Sequence, residues 1–165
     1  KKIGLRTEKG KDVALIQELE RLLQEAETDM TIFFRLLSKI EKADTSNGLN
    51  LIKEAFYTPS ELSVSLQEDW EAWFQFYGNR LQEEAVSDQE RKKSMNQVNP
   101  KYVLRNYMAQ LAIDDAENGD YSLLEELFEL LKKPYSEQPE LEKWFARRPE
   151  WARHKVGCSM IYCSS

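Results

Sequence analysis

The histidine and the two cysteines near the C-terminus are the first candidates for chemistry in this 165-residue sequence. Cys158 and Cys163 are separated by four residues, and His154, the sole histidine, precedes them. A structural zinc ion needs four nitrogen or sulfur ligands, and these three side chains supply at most three. A catalytic Cys–His pair needs a nucleophile held rigidly beside its base, which a chain end provides poorly. We therefore predict neither a metal site nor a thiol-enzyme site.

The common catalytic and nucleotide-binding motifs are missing. The sequence contains no P-loop, no G-x-G-x-x-G run, no kinase-type H-R-D or D-F-G and no G-x-S-x-G elbow. Its carboxylates fall in runs such as Asp114, Asp115 and Glu117, which on amphipathic helices form solvated faces. We predict no catalytic residue in this chain.

Two features stand apart from this background. Asn99-Pro100 is a strong helix-start signal, and the helix that follows would carry Arg105 and Asn106 on a polar edge. This is either a well-capped core helix, which the residues alone favour, or a helix that supports a neighbouring domain.

The second feature is Cys163, which is either part of an unstructured end or an accessible thiol. Basic residues nearby would favour its thiolate and so its exchange with other thiols.

Hydrophobic residues recur at helical spacing along most of the chain, and no strand is persuasive. The clearest pattern runs over residues 66–84. Further helices are predicted at 11–27, 30–42, 88–97, 100–118 and 123–132, with 49–57 ambiguous and a last turn or two at 139–146. Thr28 or Asp29 caps the second helix, and Ser87 caps the helix at 88–97. The prediction is an all-α fold, a single helical domain of about six to eight helices over residues 1–146, with an irregular C-terminal arm over residues 147–165.

The same spacing predicts which side chains form the core of this domain. The predicted inward positions are Ile16, Leu19, Leu23 and Ala26; Phe33, Leu36, Leu37 and Ile40; Leu66, Trp70, Trp73, Phe74, Tyr77 and Leu81; Val103, Leu104, Tyr107, Met108 and Leu111; and Leu124, Leu127 and Leu131.

Composition limits the partners and the compartment. The formal net charge is −6, and Lys and Arg are interleaved with Glu, which argues against binding of nucleic acid or an anionic membrane surface. No apolar run approaches the roughly 18–20 residues needed to span a bilayer. The two cysteines lie too near the end to cross-link the core. The default expectation is a reducing, cytoplasmic setting of bacterial type.

Several runs of residues resemble the C-terminal part of the selenoprotein O family, kinase-like protein adenylyltransferases. The resemblance is densest over residues 99–113, N-P-x-x-V-L-R-N-Y-x-A-Q-x-A-I, and residues 116–120, A-E-x-G-D. It begins at Lys2-Ile3-Gly4-Leu5 and closes with Arg148-Pro149-x-Trp151 and Cys163-Ser164-Ser165. One departure is the apolar run Met160-Ile161-Tyr162, where the family has a short polar ending.

The resemblance implies a longer protein with a catalytic domain upstream of Lys1. That domain would bind ATP and Mg and transfer AMP to Ser, Thr or Tyr hydroxyls of protein substrates. This chain would then hold no cofactor, and the missing N-terminal catalytic domain would be its main partner. Cys163 stands where some members carry selenocysteine, which implies a redox role through pairing with a cysteine of the catalytic domain.

Three functions follow from these observations. The leading one is a helical part that supports an adenylyltransferase and supplies a redox tether, and the abrupt start at Lys1 without a methionine favours it. The alternative is an independent helical protein-interaction module with an apolar groove lined by Trp70, Trp73 and Phe74. A stand-alone thiol enzyme fits the residues least. Without a catalytic domain, an exposed apolar patch and some self-association are expected.

Overall fold

The computed structural model describes residues 1–155 and contains seven α-helices and four 3-10 segments in that range. The helices are α1 (Asp12–Glu25), α2 (Met30–Leu37), α3 (Gly48–Ile52), α4 (Val64–Gln82), α5 (Asp88–Asn96), α6 (Asn106–Glu117) and α7 (Ser122–Lys132). The 3-10 segments are Lys53–Ala55, Pro59–Glu61, Pro139–Trp144 and Glu150–Arg153. The described residues form no strand, and none of their helices is both long and apolar enough to span a membrane. The all-α prediction is confirmed.

The contacts between Cα atoms divide the chain into two compact units, residues 1–99 and residues 100–165. The first unit contains α1 to α5. The second contains α6, α7 and the two last 3-10 segments. The predicted division between a helical domain and an arm after residue 146 stays a prediction.

Aromatic side chains of α4 form the core of the first unit. Trp70 is fully buried, and its ring lies 5.8 Å from that of Phe33, 5.6 Å from that of Phe56 and 6.0 Å from that of Phe74. Trp73 stacks on Tyr77 with 4.9 Å between ring centroids. Because aromatic pairs add stability beyond the area they bury, this cluster fixes the position of α4 among its neighbours.

The predicted inward positions Leu19, Leu23, Ala26 and Leu127 are confirmed as buried, whereas Ile16 of α1 and Leu124 of α7 were wrongly predicted. In α1 the buried side chains are Leu15, Leu19, Leu22 and Leu23, and Ile16 is 42% exposed. In α7 they are Leu127 and Leu130, and Leu124 is 51% exposed. Both helices are rich in leucine, so more than one helical stripe fits the pattern. Packing against the neighbouring helix selects the stripe that is buried.

The helix predicted to start at Pro100 starts instead at Asn106, which is an error in that prediction. The backbone N–H groups of Lys101 and Tyr102 both donate to the carbonyl of Pro134, at 2.8 and 3.0 Å. These bonds hold the segment outside the helix, and they bury Tyr102 while leaving Leu104 50% exposed. A non-local pairing therefore overrides the local start signal.

The predicted helix caps are confirmed at two positions. The Asp29 carboxylate accepts from the N–H of Ile32 at 3.1 Å at the start of α2. Ser87 and Glu90 form a reciprocal capping box at the start of α5. Such caps depend on residues only three positions apart, which is why the sequence reveals them.

Replacing Trp73 with alanine is expected to lower the free energy of unfolding by about 3–5 kcal/mol. The side chain is 2% exposed, and its indole N–H donates to the carbonyl of Leu15 at 3.0 Å. The measurement is urea unfolding followed by circular dichroism. The control is Val64→Ala on the same helix, where the side chain is 72% exposed and a change within about 0.5 kcal/mol is expected. A loss below about 1 kcal/mol for Trp73→Ala would contradict the burial of this ring.

Candidate functional site

A network of charged and polar side chains in the first unit holds residues 2–7 against α4 and α5. We call it the polar clamp, and it consists of Asp12, Tyr77, Arg80, Glu84, Arg91 and Asn99. Four of its members lie on α4 and α5 or directly after α4, and Asp12 is the first residue of α1. Each member bonds to the segment itself or to another member.

The guanidinium of Arg80 is at the centre of the clamp, and its side chain has no exposed surface. Its Nε donates to Oδ1 of Asp12 at 2.6 Å, and its Nη1 lies 2.9 Å from Oε1 of Glu84. Its Nη2 donates to the carbonyl of Thr7 at 2.7 Å. The buried cation thus has two carboxylate partners and a backbone partner, as a charge removed from water requires.

The carboxylate of Glu84 holds the segment from the other side. It accepts hydrogen bonds from the backbone N–H groups of Arg6 and Thr7, at 3.3 and 3.2 Å, and from the Thr7 hydroxyl at 2.6 Å. Burial acts to raise the pKa of Glu84, but these hydrogen bonds and that of Arg80 hold it below its ordinary value. The hydrogen bond from Arg80 likewise lowers the pKa of Asp12. Both carboxylates are therefore ionised at neutral pH.

Arg91 of α5 forms the second centre of the clamp. Its Nη2 donates to the carbonyl of Ile40, its Nε donates to Oδ1 of Asp88 at 3.3 Å, and its Nη1 lies 3.4 Å from the Tyr77 hydroxyl. That hydroxyl donates to the carbonyl of Ile3 at 2.8 Å, and burial raises the pKa of Tyr77 well above its ordinary value. The phenol therefore remains a hydrogen-bond donor at any physiological pH.

Gly4 lets the segment approach α5 closely. It has a φ of +78°, and a Cβ atom there would lie 2.8 Å from Cγ of Arg91 and from Sδ of Met95. Only glycine fits both the backbone conformation and the space. Asn99 completes the contact, because its Nδ2 donates to the carbonyl of Lys2 at 2.8 Å.

In the second unit, Lys101 holds the segment around 137–145 in place. Its ammonium donates to Glu137 at 2.5 Å and to Glu142 at 2.6 Å, and it lies 5.1 Å from the centre of the Phe145 ring. Burial acts to lower the pKa of Lys101, but the two carboxylates raise it above its ordinary value. Lys101 is therefore a charged structural anchor and no candidate for a neutral nucleophile.

The predicted supporting residues lie at the start of α6 instead of along its edge. Arg105 is the residue before the helix and is 6% exposed, and its carbonyl accepts from the N–H groups of Met108 and Ala109. Asn106 is the first helical residue and is half-buried. Their contact with another domain stays a prediction. The predicted redox residue Cys163 lies outside the described residues.

Within residues 1–155, the side chains predicted to line the apolar groove of an interaction module are buried. Trp70, Trp73 and Phe74, its expected lining, are 0%, 2% and 2% exposed. A partner could reach these rings only if the core opened, so the alternative function loses the residues on which it depended.

The acidic side chains of the clamp have partners within the chain. The buried carboxylates of Asp12 and Glu84 are occupied by Arg80, Thr7 and backbone N–H groups. Within residues 1–155, no group of three or more His, Cys, Asp or Glu side chains could hold a metal ion. The arrangement of the clamp suits anchoring of a chain segment.

The clamp was not predicted, although the sequence carries a signal for it. Arg80 and Glu84 follow Tyr77 at intervals of three and seven, so both charged residues fall on the inward face of the α4 pattern. A charged residue at an inward position is seldom buried without a partner. The oppositely charged pair at i and i+4 could therefore have been recognised as a buried pair.

We expect Glu84→Gln to destabilise the chain by about 3 kcal/mol, because it leaves part of the Arg80 charge buried without its partner. The neighbouring substitution Glu83→Gln, which removes only the exposed ion pair with Lys11, should leave the unfolding midpoint nearly unchanged. Urea unfolding at neutral pH measures both.

The same pair of variants tests the pH dependence. Because the pKa of Glu84 is lower in the folded chain, its carboxylate stabilises the fold above its ordinary pKa of about 4.3. That contribution is lost as pH falls through the lowered value. The wild-type chain should therefore lose more stability between pH 6 and 3 than Glu84→Gln does. Equal losses would contradict the assigned role of Glu84.

Comparison with known proteins identifies the family. The sequence profile described as protein adenylyltransferase SelO matches residues 1–132. The chain is 55% identical over 165 residues to protein nucleotidyltransferase YdiU of Flavobacterium johnsoniae, covering 99% of this chain and 32% of that protein. It is 44% identical to the YdiU protein of Rhodopirellula baltica and 42% identical to that of Aromatoleum aromaticum, covering 33% and 31% of their lengths. The chain thus spans about a third of these curated relatives, and it belongs to the protein adenylyltransferase SelO family.

Proposed function

We propose that this chain is the helical, non-catalytic supporting part of a protein nucleotidyltransferase that transfers AMP from ATP to hydroxyl groups of proteins. The observation that carries the proposal is the match of 99% of the chain to relatives named protein nucleotidyltransferase, of which it spans about a third. ATP, Mg and the protein substrates would be bound by the other two-thirds of the complete protein. Bound Mg–ATP would supply the adenylyl group there.

The polar clamp supports the anchoring part of this proposal. We place the catalytic part before Lys1, as the family resemblance implies, so that the chain would enter this unit through residues 2–7. Those residues are bonded to α4 and α5 through Arg80, Glu84 and Tyr77. A connecting segment that is held in place at residues 2–7 has few free backbone angles. The catalytic part before it would therefore have less freedom to move relative to this chain. Arg105 and Asn106 are proposed to brace the catalytic part from the start of α6.

Cys163 is proposed as the redox residue of the complete protein. The described residues end at Lys155, whose ammonium pairs with Asp114 at the surface, 2.5 Å away, and Ala152 shortly before it is fully buried. Cys163 follows Lys155 by eight residues. At about 3.3–3.6 Å for each residue, that length sets an outer limit of roughly 25–30 Å from Lys155 to Cys163.

The proposal predicts different behaviour for the chain and for the complete gene product. The complete protein, given ATP labelled in the α-phosphate and Mg, should transfer label to protein. Isothermal titration of the 165-residue chain with ATP and Mg should show no binding, because its buried carboxylates are already paired. Micromolar binding of ATP by the chain, or an inactive complete protein, would contradict the proposal.

Oxidation of the complete protein should link Cys163 to a cysteine outside this chain, which mass spectrometry of tryptic peptides detects. The Cys163→Ser variant is the control and should lack that linked peptide. The redox assignment would be wrong if Cys163 were found only as a free thiol or only bonded to Cys158.

A further inference from the structure

Pro100 lies at the junction between the two compact units of the chain. The first unit ends at Asn99, and the second begins at Pro100. Hydrogen bonds to other parts of the chain hold the residue on each side of this proline. The backbone freedom of the connection therefore depends on which torsions those bonds leave free.

Asn99 is fixed in the first unit by its backbone and by its side chain. Its N–H donates to the carbonyl of Met95 at 2.9 Å, and its carbonyl accepts from Nη1 of Arg35 at 3.4 Å. Its Nδ2 donates to the carbonyl of Lys2 at 2.8 Å, and the residue is 2% exposed. Because both of its backbone polar groups have partners in the first unit, that unit sets φ and ψ of Asn99.

Lys101 is fixed in the second unit in a similar way. Its N–H and the N–H of Tyr102 donate to the carbonyl of Pro134, at 2.8 and 3.0 Å. Its ammonium binds the carboxylates of Glu137 and Glu142. The two N–H groups belong to the peptide planes before and after the Cα atom of Lys101. The second unit therefore sets φ and ψ of this residue as well.

One backbone torsion remains free between these two fixed residues. The peptide bond that follows Asn99 is planar. The ring of Pro100 locks its φ at about −65°. Neither constraint limits ψ of Pro100, which is the rotation about its Cα–C bond. At this φ, steric clashes leave two ψ ranges, about −20 to −70° and about +100 to +180°.

We propose that the Cα–C bond of Pro100 is a hinge, and that any movement of residues 1–99 relative to residues 101–155 takes place by rotation about this one bond. Relative motion is the usual behaviour of compact units in one chain, and a longer linker would spread it over many torsions. Asn99 also binds Lys2, so one residue holds both the hinge and the segment in the polar clamp. The hinge is independent of the proposed function.

The experiment measures distances between two nitroxide labels in the 165-residue chain by pulsed electron paramagnetic resonance. The labels are attached to p-acetylphenylalanine, which replaces exposed Glu20 of α1 and exposed Glu125 of α7 and leaves both cysteines unmodified. In the otherwise wild-type chain we expect at most two narrow maxima, because only two ψ ranges are allowed. Pro100→Gly also frees φ, so it should merge them into a distribution at least about twice as broad.

Two controls separate the hinge from a general loss of order. Pro59→Gly changes another half-buried proline, at the start of a 3-10 segment within the first unit, and should leave the Glu20–Glu125 distribution unchanged. A second label pair at Glu20 and exposed Lys92 lies wholly within the first unit. This pair should give the same narrow distribution with and without Pro100→Gly.

Insertion of two glycines directly after Pro100 is a second variant that keeps the proline. It should broaden the Glu20–Glu125 distribution at least as much as Pro100→Gly does, and it decides the matter if the Glu20–Lys92 pair shows that Pro100→Gly does not fold. The proposal would be overturned by a broad, continuous distribution in the wild-type chain. An unchanged distribution in both hinge variants, or equal broadening by Pro59→Gly, would overturn it too.

Discussion

The buried guanidinium of Arg80 is the interaction on which the first unit depends. A cation without exposed surface costs several kcal/mol unless partners surround it, and here Asp12, Glu84 and the carbonyl of Thr7 do so. To satisfy that one charge, α1, α4 and the first seven residues must all lie in fixed positions. The aromatic core of α4 supplies much of the stability, and the ion network determines which segment is held against it.

This constraint determines where residues 2–7 lie in the first unit. A surface ion pair contributes little to stability, but a buried pair specifies geometry strongly because breaking it is expensive. The clamp therefore holds residues 2–7 in a defined position against α4 and α5. The chain belongs to the SelO family and spans about a third of its curated relatives, so an anchored segment near Lys1 bears directly on the proposed supporting role.

The sequence predicted what depends on local periodicity and missed what depends on pairing over distance. The all-α class, the caps at Asp29 and Ser87 and the burial of Trp73 all follow from residues within a few turns of one another. The start of α6 was predicted wrongly because the N–H groups of Lys101 and Tyr102 donate to the carbonyl of Pro134, which lies far from them in sequence. The clamp was missed for the same reason, since Thr7 and Glu84 are 77 residues apart in sequence. The candidate site was therefore less predictable than the fold.

The central claim is that this chain supports a catalytic part. The most direct test is to remove these 165 residues from the complete protein. AMP transfer from labelled ATP should be measured for the complete protein and for the same protein without these 165 residues, at equal concentrations of folded protein. We expect the shortened protein to lose at least about 90% of the rate, a tenfold change that corresponds to about 1.4 kcal/mol. Equal rates for the two proteins would contradict the claim.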